Sequence, residues 1–195
     1  MEISSLRHLL DAVRNVASGK RIILFGSSSL LGSFPDDDPD VIGVAVTQDA
    51  DFFIEPDDAA LRETLEATFG EDNAFHRRTG YFGDFVDLRL SESFPKGWRD
   101  RLVAMPGFDQ VWALHPVDMA VTKIAATARS RLWRRLGKSS AERGRKDINT
   151  IVALLKAGRL DHATLTSRLH GMDYEPALIV ECWQVMEEIT ALVVV

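Results

Sequence analysis

The chain has 195 residues, 46% of them apolar, and a formal net charge of -6. That size and composition bury a core as one domain or as a domain with a helical extension, which excludes the disordered and fibrous classes. The acidic balance excludes nucleic-acid binding through uniform positive charge and leaves only a local basic patch for that purpose.

A single cysteine, Cys182, supports neither an intrachain disulfide nor a cysteine metal cluster, and points to a reducing compartment. Glu2, Arg7, His8 and Asp11 interrupt the N-terminal apolar residues, unlike the uncharged core of a signal peptide. No apolar run approaches the ~20 residues of a membrane span. The expected location is cytoplasmic, with no membrane partner.

Leu6, Leu9, Leu10, Val13, Val16 and Ala17 recur at helical spacing ahead of Gly19, so a first amphipathic helix ends near Ser18. Ile22-Ile23-Leu24-Phe25 is continuous, apolar and β-prone, which predicts a buried strand, and Ser27 to Leu31 open a short helix. Pro35 to Asp40 is a solvated loop dense in turn formers, followed by the apolar Val41 to Val46. Thr47 to Ile54 is the second core strand. Pro56-Asp57-Asp58 opens a helix striped by Leu61, Leu65 and Phe69 and stopped by Gly70. Phe82 to Leu90 alternates, with Phe85, Asp87 and Arg89 on one face, and predicts a third strand; Gln110 to Leu114 predicts another. After Pro116 the pattern is helical, at about 117 to 136, 146 to 157, 161 to 169 and 175 to 193. The expected fold is α+β: a mixed sheet flanked by helices over residues 1 to 115, then a C-terminal helical region, 116 to 195, packed on it.

Side chains alternate along a strand, so Asp49 and Asp51 project from one face, close enough to share a divalent metal. Two carboxylates so placed repel each other unless a cation neutralises them, and a hard, oxygen-seeking ion such as Mg2+ (or Mn2+) suits them; otherwise they form a solvated strand end. Gly26-Ser27, between a buried strand and a helix, offers backbone amides and a hydroxyl to a phosphate, or is simply a tight turn. A third carboxylate, Asp87, would complete a set in which two acids hold metal and one activates a hydroxyl; Asp84 competes for that role. Lys123 lies beside the stripe of Ala120, Ile124 and Thr127, where a lone cation seeks a partner or snorkels to solvent. Asp147 orients Lys123 or Arg145, or favours the start of its own helix. Arg129 to Lys138, with Trp133 among its arginines, reads as a solvated helix face with Leu132 and Leu136 packed inward, or as a surface that tracks an RNA backbone and stacks a base. The stripe of Ile179, Cys182, Trp183, Met186, Ile189 and Val193 is a packing helix that also suits a dimer contact.

A Gly-Ser after a strand, Asp-x-Asp on the next core strand and a later strand acid together resemble the nucleotidyltransferase superfamily of polymerase-beta type. His76 to Tyr81, Phe94-Pro95-Lys96-Gly97-Trp98 with Arg101, and Leu114 to Asp118 leading to Lys123 are similar to bacterial nucleotidyltransferase-like families near the abortive-infection toxins. The likeness spans roughly residues 22 to 156 and includes Arg145-Lys146-Asp147. The resemblance implies a nucleotidyltransferase fold with Mg2+ or Mn2+ on Asp49, Asp51 and Asp87. It also implies a nucleoside triphosphate bound by Gly26, Ser27, Lys123 and Arg145, and transfer of the nucleoside monophosphate to a hydroxyl of RNA or protein. A toxin-antitoxin or stress-response setting, with an antitoxin partner or a homodimer, goes with it. The chain departs from the family in a long spacing from Gly26 to Asp49, in Ala45 near the position of an expected arginine, and in the basic insertion at 129 to 138. The long first loop and the missing arginine support an alternative, a catalytically silent module that keeps the fold to hold a nucleotide or a partner.

Overall fold

A computed structural model describes residues 1–44, 47–137 and 144–194, so Ala45 and Lys138 lie outside the described residues. The chain divides into two compact units. The first comprises Met1–Asp40, Val44–Ser93 and Gly97–Pro116; the second comprises Val41–Gly43, Phe94–Lys96 and Val117–Val195. The fold is α+β, with a five-stranded mixed sheet flanked by helices and a C-terminal helical region.

In the first unit, α1 (Ile3–Val16) buries Leu6, Leu9, Leu10 and Val13 completely, the stripe its spacing predicts. Gly19 follows with φ +77°, a conformation that glycine adopts without penalty. The sheet contains β1 (Arg21–Phe25), β2 (Asp49–Glu55), β3 (Phe82–Phe85), β4 (Val103–Ala104) and β5 (Val111–Ala113), in the order β3-β2-β1-β5-β4. β1 runs antiparallel to β2 and parallel to β5; β2 and β3 are parallel.

Register sorts the two faces of this sheet. Leu24 stands opposite Phe52 and Ala113, and all three are fully buried. The short α2 (Ser28–Ser33) covers that side, since a methyl group at Gly32 would stand 3.2 Å from Ala113 Cβ. The other face carries Ile23, Phe25, Asp51 and Phe53, and the Phe25 and Phe53 rings stack at 4.2 Å. Asp58 caps α3 (Ala59–Phe69) by accepting from Leu61 N at 3.0 Å, as the Pro56-Asp57-Asp58 signature predicts. The sequence did not suggest α4 (Ala74–Thr79), which Asn73 caps.

The strand expected over Phe82 to Leu90 stops at Phe85 and gives way to a 3-10 segment, Leu88–Ser93. The cause is local: Asp87 Oδ1 accepts from Arg89 N at 2.9 Å, a side-chain turn that competes with the strand ladder.

The second unit contains α5 (Pro116–Arg135), α6 (Arg145–Lys156), α7 (His162–His170) and α8 (Pro176–Val194), each bound within one residue of its expected place. α6 packs on α8, and Cys182, Val185 and Ile189 are fully buried. Asp118, also fully buried, is held by Arg168. No helix among the described residues is long and apolar enough to cross a membrane.

Candidate functional site

The carboxylates lie where β2 emerges at the end of the sheet. Its apolar C-terminal half, Phe52-Phe53-Ile54, is buried to within 1% and anchors the strand, leaving Asp49 and Asp51 half-buried ahead of it. In the parallel register, Asp51 stands opposite Asp84 and Asp49 opposite Phe82, so Asp49, Asp51 and Asp84 share one face. Asp84 is an exposed residue, yet its carboxyl is pushed above the usual carboxylate range, first by the desolvation it suffers and then by the negative charges of Asp49 and Glu71. Glu66, which accepts from Phe85 N at 3.3 Å on the edge strand, is raised by burial and then feels the charge of Asp84. No local pattern singles out Glu66 or Glu71: Glu66 comes beside Asp84 through the packing of α3 on β3, and Glu71 follows directly after that helix.

Asp87 is committed elsewhere. Arg89 donates to it from Nε at 3.0 Å and from Nη2 at 2.8 Å, and Arg62 Nη2 lies 3.4 Å away. These arginines, Arg89 foremost, hold its carboxyl well below the usual range. A carboxylate so saturated is a poor proton acceptor, and of the two candidate third acids the structure brings Asp84 to Asp49 and Asp51.

Gly26 follows β1 with φ +64° and lies directly against Asp51: a methyl group there would stand 2.0 Å from Asp51 Oδ2. Ser27, 7% exposed, precedes α2 and makes no side-chain cap bond, while Ser28 and Ser29 turn their hydroxyls back onto Phe25 O and Gly26 O. The start of α2 therefore meets the acid pair through a residue with no side chain.

Among the described residues no three of His, Cys, Asp and Glu converge as a ready metal cage. Magnesium is commonly held by one or two carboxylates, completing its shell with water and substrate phosphates. Asp49 and Asp51, alternating on one strand, fit that donor set, and Asp84 shares their face.

No family model, curated protein or solved structure matches the chain. The carboxylate face therefore stands on its own geometry.

In the helical unit, Lys123 is 12% exposed and pairs with Asp147 Oδ1 at 2.5 Å. Asp147 occupies the first turn of α6 without capping it; the cap position is Gly144. Arg145 lines a cleft with Arg131, Arg134 and Arg135. Leu136, expected to pack inward, is 58% exposed, and Trp133 is 49% exposed and absent from that cleft.

Because folding raises the Asp84 pKa, the folded state binds this proton more tightly than the unfolded chain does. Stability therefore falls as pH climbs from 3.8 through the raised value. Asp84→Asn is expected to flatten that decline and to raise the melting temperature at neutral pH in EDTA. It should also shrink the stabilisation given by added Mg2+. Thermal unfolding followed against pH, with and without the ion, measures both effects; an Mg2+ response equal to wild type removes Asp84 from the site.

Proposed function

We propose that this chain is a metal-dependent nucleotidyltransferase, moving a nucleoside monophosphate from a nucleoside triphosphate to an acceptor hydroxyl on RNA or protein. The observation that carries the reading is the close approach of Gly26 to Asp51 on the face that Asp49 and Asp84 share. A side chain at position 26 would fill the space in which a phosphate meets the acid pair.

In this reading Asp49 and Asp51 hold Mg2+ or Mn2+, which when bound neutralises phosphate charge and polarises the reacting phosphate. The Gly26-Ser27 turn and the helix start after it leave backbone N–H groups free of intrahelical acceptors, so they suit a phosphate oxygen. Asp84 accepts the proton of the attacking hydroxyl. Desolvation and the negative charges of Asp49 and Glu71 raise its carboxyl, which makes it a stronger base than an ordinary carboxylate. The hydroxyl oxygen bonds to the α-phosphorus, the bond to the β-phosphate oxygen breaks, and pyrophosphate leaves.

The test is incubation of the purified protein with each labelled triphosphate, Mg2+ and total cellular RNA or candidate proteins. Label transfer that disappears on Asp49→Asn or Asp51→Asn is expected. Absence of transfer under every nucleotide sinks the enzymatic reading. A silent nucleotide-binding module is the second reading, favoured by the long spacing from Gly26 to Asp49. It predicts saturable triphosphate binding without label transfer. A toxin-antitoxin setting with a partner protein belongs to the same proposal and is tested by co-purification.

A further inference from the structure

The short helix α4 straddles the first residues of β3. Phe75 is buried and packs edge-on against Phe69 and Tyr81, at 5.3 and 5.7 Å between ring centroids. The next residue, His76, lies instead against the ring of Phe82, at 4.7 Å. Phe82 opens β3 opposite Asp49 and shares its face with Asp84, two residues on. His76 therefore borders the carboxylate face, and it does so across β2 from Gly26, which follows β1.

The turn before α4 sets the orientation of the ring. Asp72 takes φ +60°, a left-handed conformation that aspartate tolerates better than most residues, and its N–H donates to His76 Nδ1 at 3.0 Å. Arg77 holds the Asp72 carbonyl, and Asn73 Oδ1 accepts from His76 N at 3.0 Å. A ring nitrogen that accepts a hydrogen bond carries no proton, so the proton of the imidazole is on Nε2. That N–H donates to no other group among the described residues. Closing the turn takes Nδ1 alone, which an asparagine oxygen would serve equally, so the turn does not account for the second nitrogen.

In the reaction proposed above, the attacking and leaving oxygens stand roughly in line through the phosphorus. Pyrophosphate held at Gly26 and Ser27 places the entering hydroxyl on the β3 side, beside Asp84. Phe82 and Asp84 are about 7 Å apart along their strand, so an acceptor whose hydroxyl meets Asp84 passes in front of the His76 ring. Protonated Nε2 has no lone pair for the hydroxyl proton, so His76 is a donor there and not a rival base to Asp84.

We infer that His76 binds the acceptor, its Nε2–H donating to an acceptor oxygen next to the hydroxyl that reacts. The inference rests on nucleotidyl transfer at the carboxylate face and adds the side from which the acceptor is held. Asp84 then takes the proton while His76 fixes the position of the group that gives it up.

The experiment compares the wild type with His76→Asn and His76→Gln in label transfer to total cellular RNA, or to the protein mixture where that is what the wild type labels. Asparagine keeps an oxygen for the Asp72 N–H and has no donor at the position of Nε2; glutamine reaches that position with its amide nitrogen. His76→Asn is expected to raise the apparent KM for the acceptor at least about fivefold, the worth of one hydrogen bond, and to leave the KM for the triphosphate unchanged. His76→Gln is expected to stay within about twofold of the wild type. Thermal unfolding checks that both variants are folded. A second measurement needs no substrate: long-range proton–nitrogen correlation spectra of the nitrogen-labelled protein, which has five histidines, identify His76 by the signal lost in His76→Asn. They are expected to show Nδ1 bare and Nε2 protonated. The opposite tautomer, an acceptor KM unchanged in His76→Asn, or an equal rise in the KM for the triphosphate overturns the assignment while transfer itself stands. Absence of transfer by the wild type withdraws the enzymatic reading and this assignment together.

Discussion

Asp49→Asn and Asp51→Asn are each expected to lower nucleotidyl transfer by at least about a thousandfold, which corresponds to roughly 4 kcal/mol of lost transition-state stabilisation. The substitution keeps the size of the side chain and removes its charge, so the expected defect is one of charge rather than of packing. Both residues are half-buried at a strand end, and β2 is held by Phe52, Phe53 and Ile54, so the fold should survive. The measurement is the initial rate of label transfer at saturating triphosphate, together with thermal unfolding and an Mg2+ titration. Loss of transfer with an unchanged melting temperature and a weakened Mg2+ response supports the assignment. Undiminished transfer in both variants removes the pair from catalysis. Asp87→Asn supplies the contrast: its carboxylate is engaged by Arg62 and Arg89, so transfer should fall little.

Gly26→Ala is expected to lower stability by about 2–4 kcal/mol and to abolish most of the transfer activity. Two costs combine. A φ of +64° is uncomfortable for any residue with a Cβ, and the new methyl would stand 2.0 Å from Asp51 Oδ2, so either β1 or the Asp51 side chain must move. Gly19→Ala separates them, because Gly19 has φ +77° and nothing within 4 Å of an added methyl. It should cost only the backbone term, about 1 kcal/mol. The double variant Gly26→Ala with Asp51→Ala should recover part of the lost stability and none of the activity, a non-additivity that measures the contact itself. Urea unfolding of the wild type, the single variants Gly26→Ala, Asp51→Ala and Gly19→Ala, and the double variant reads these differences. Equal costs at Gly19 and Gly26 would show that the approach to Asp51 is unimportant.

The helices of the second unit were legible because an amphipathic stripe is local: every side chain that defines α5, α6, α7 or α8 lies within two turns of its neighbours. The same holds for β1, whose apolar run needs no partner to be recognised, and for the Asp58 cap, formed three residues from its donor. The third carboxylate was not legible in this way. Alternation from Phe82 to Leu90 suggested a strand carrying Asp87, but the hydrogen bond from Arg89 N to that side chain ended the strand first. Arg129 to Lys138 announced a basic surface, yet no local pattern tells which arginines are gripped by acids some fifty residues away, such as Glu188 on Arg131.

By itself the sequence determined the fold class, the limits of α5 to α8 and the common face of Asp49 and Asp51, because each follows from a period of 2 or 3.6 residues along single elements. Only the tertiary structure decided that Asp84 joins them, that Gly26 presses on Asp51, and that Arg145 faces the arginines of α5. Those are consequences of strand register and helix packing, which bring together residues that no local periodicity links.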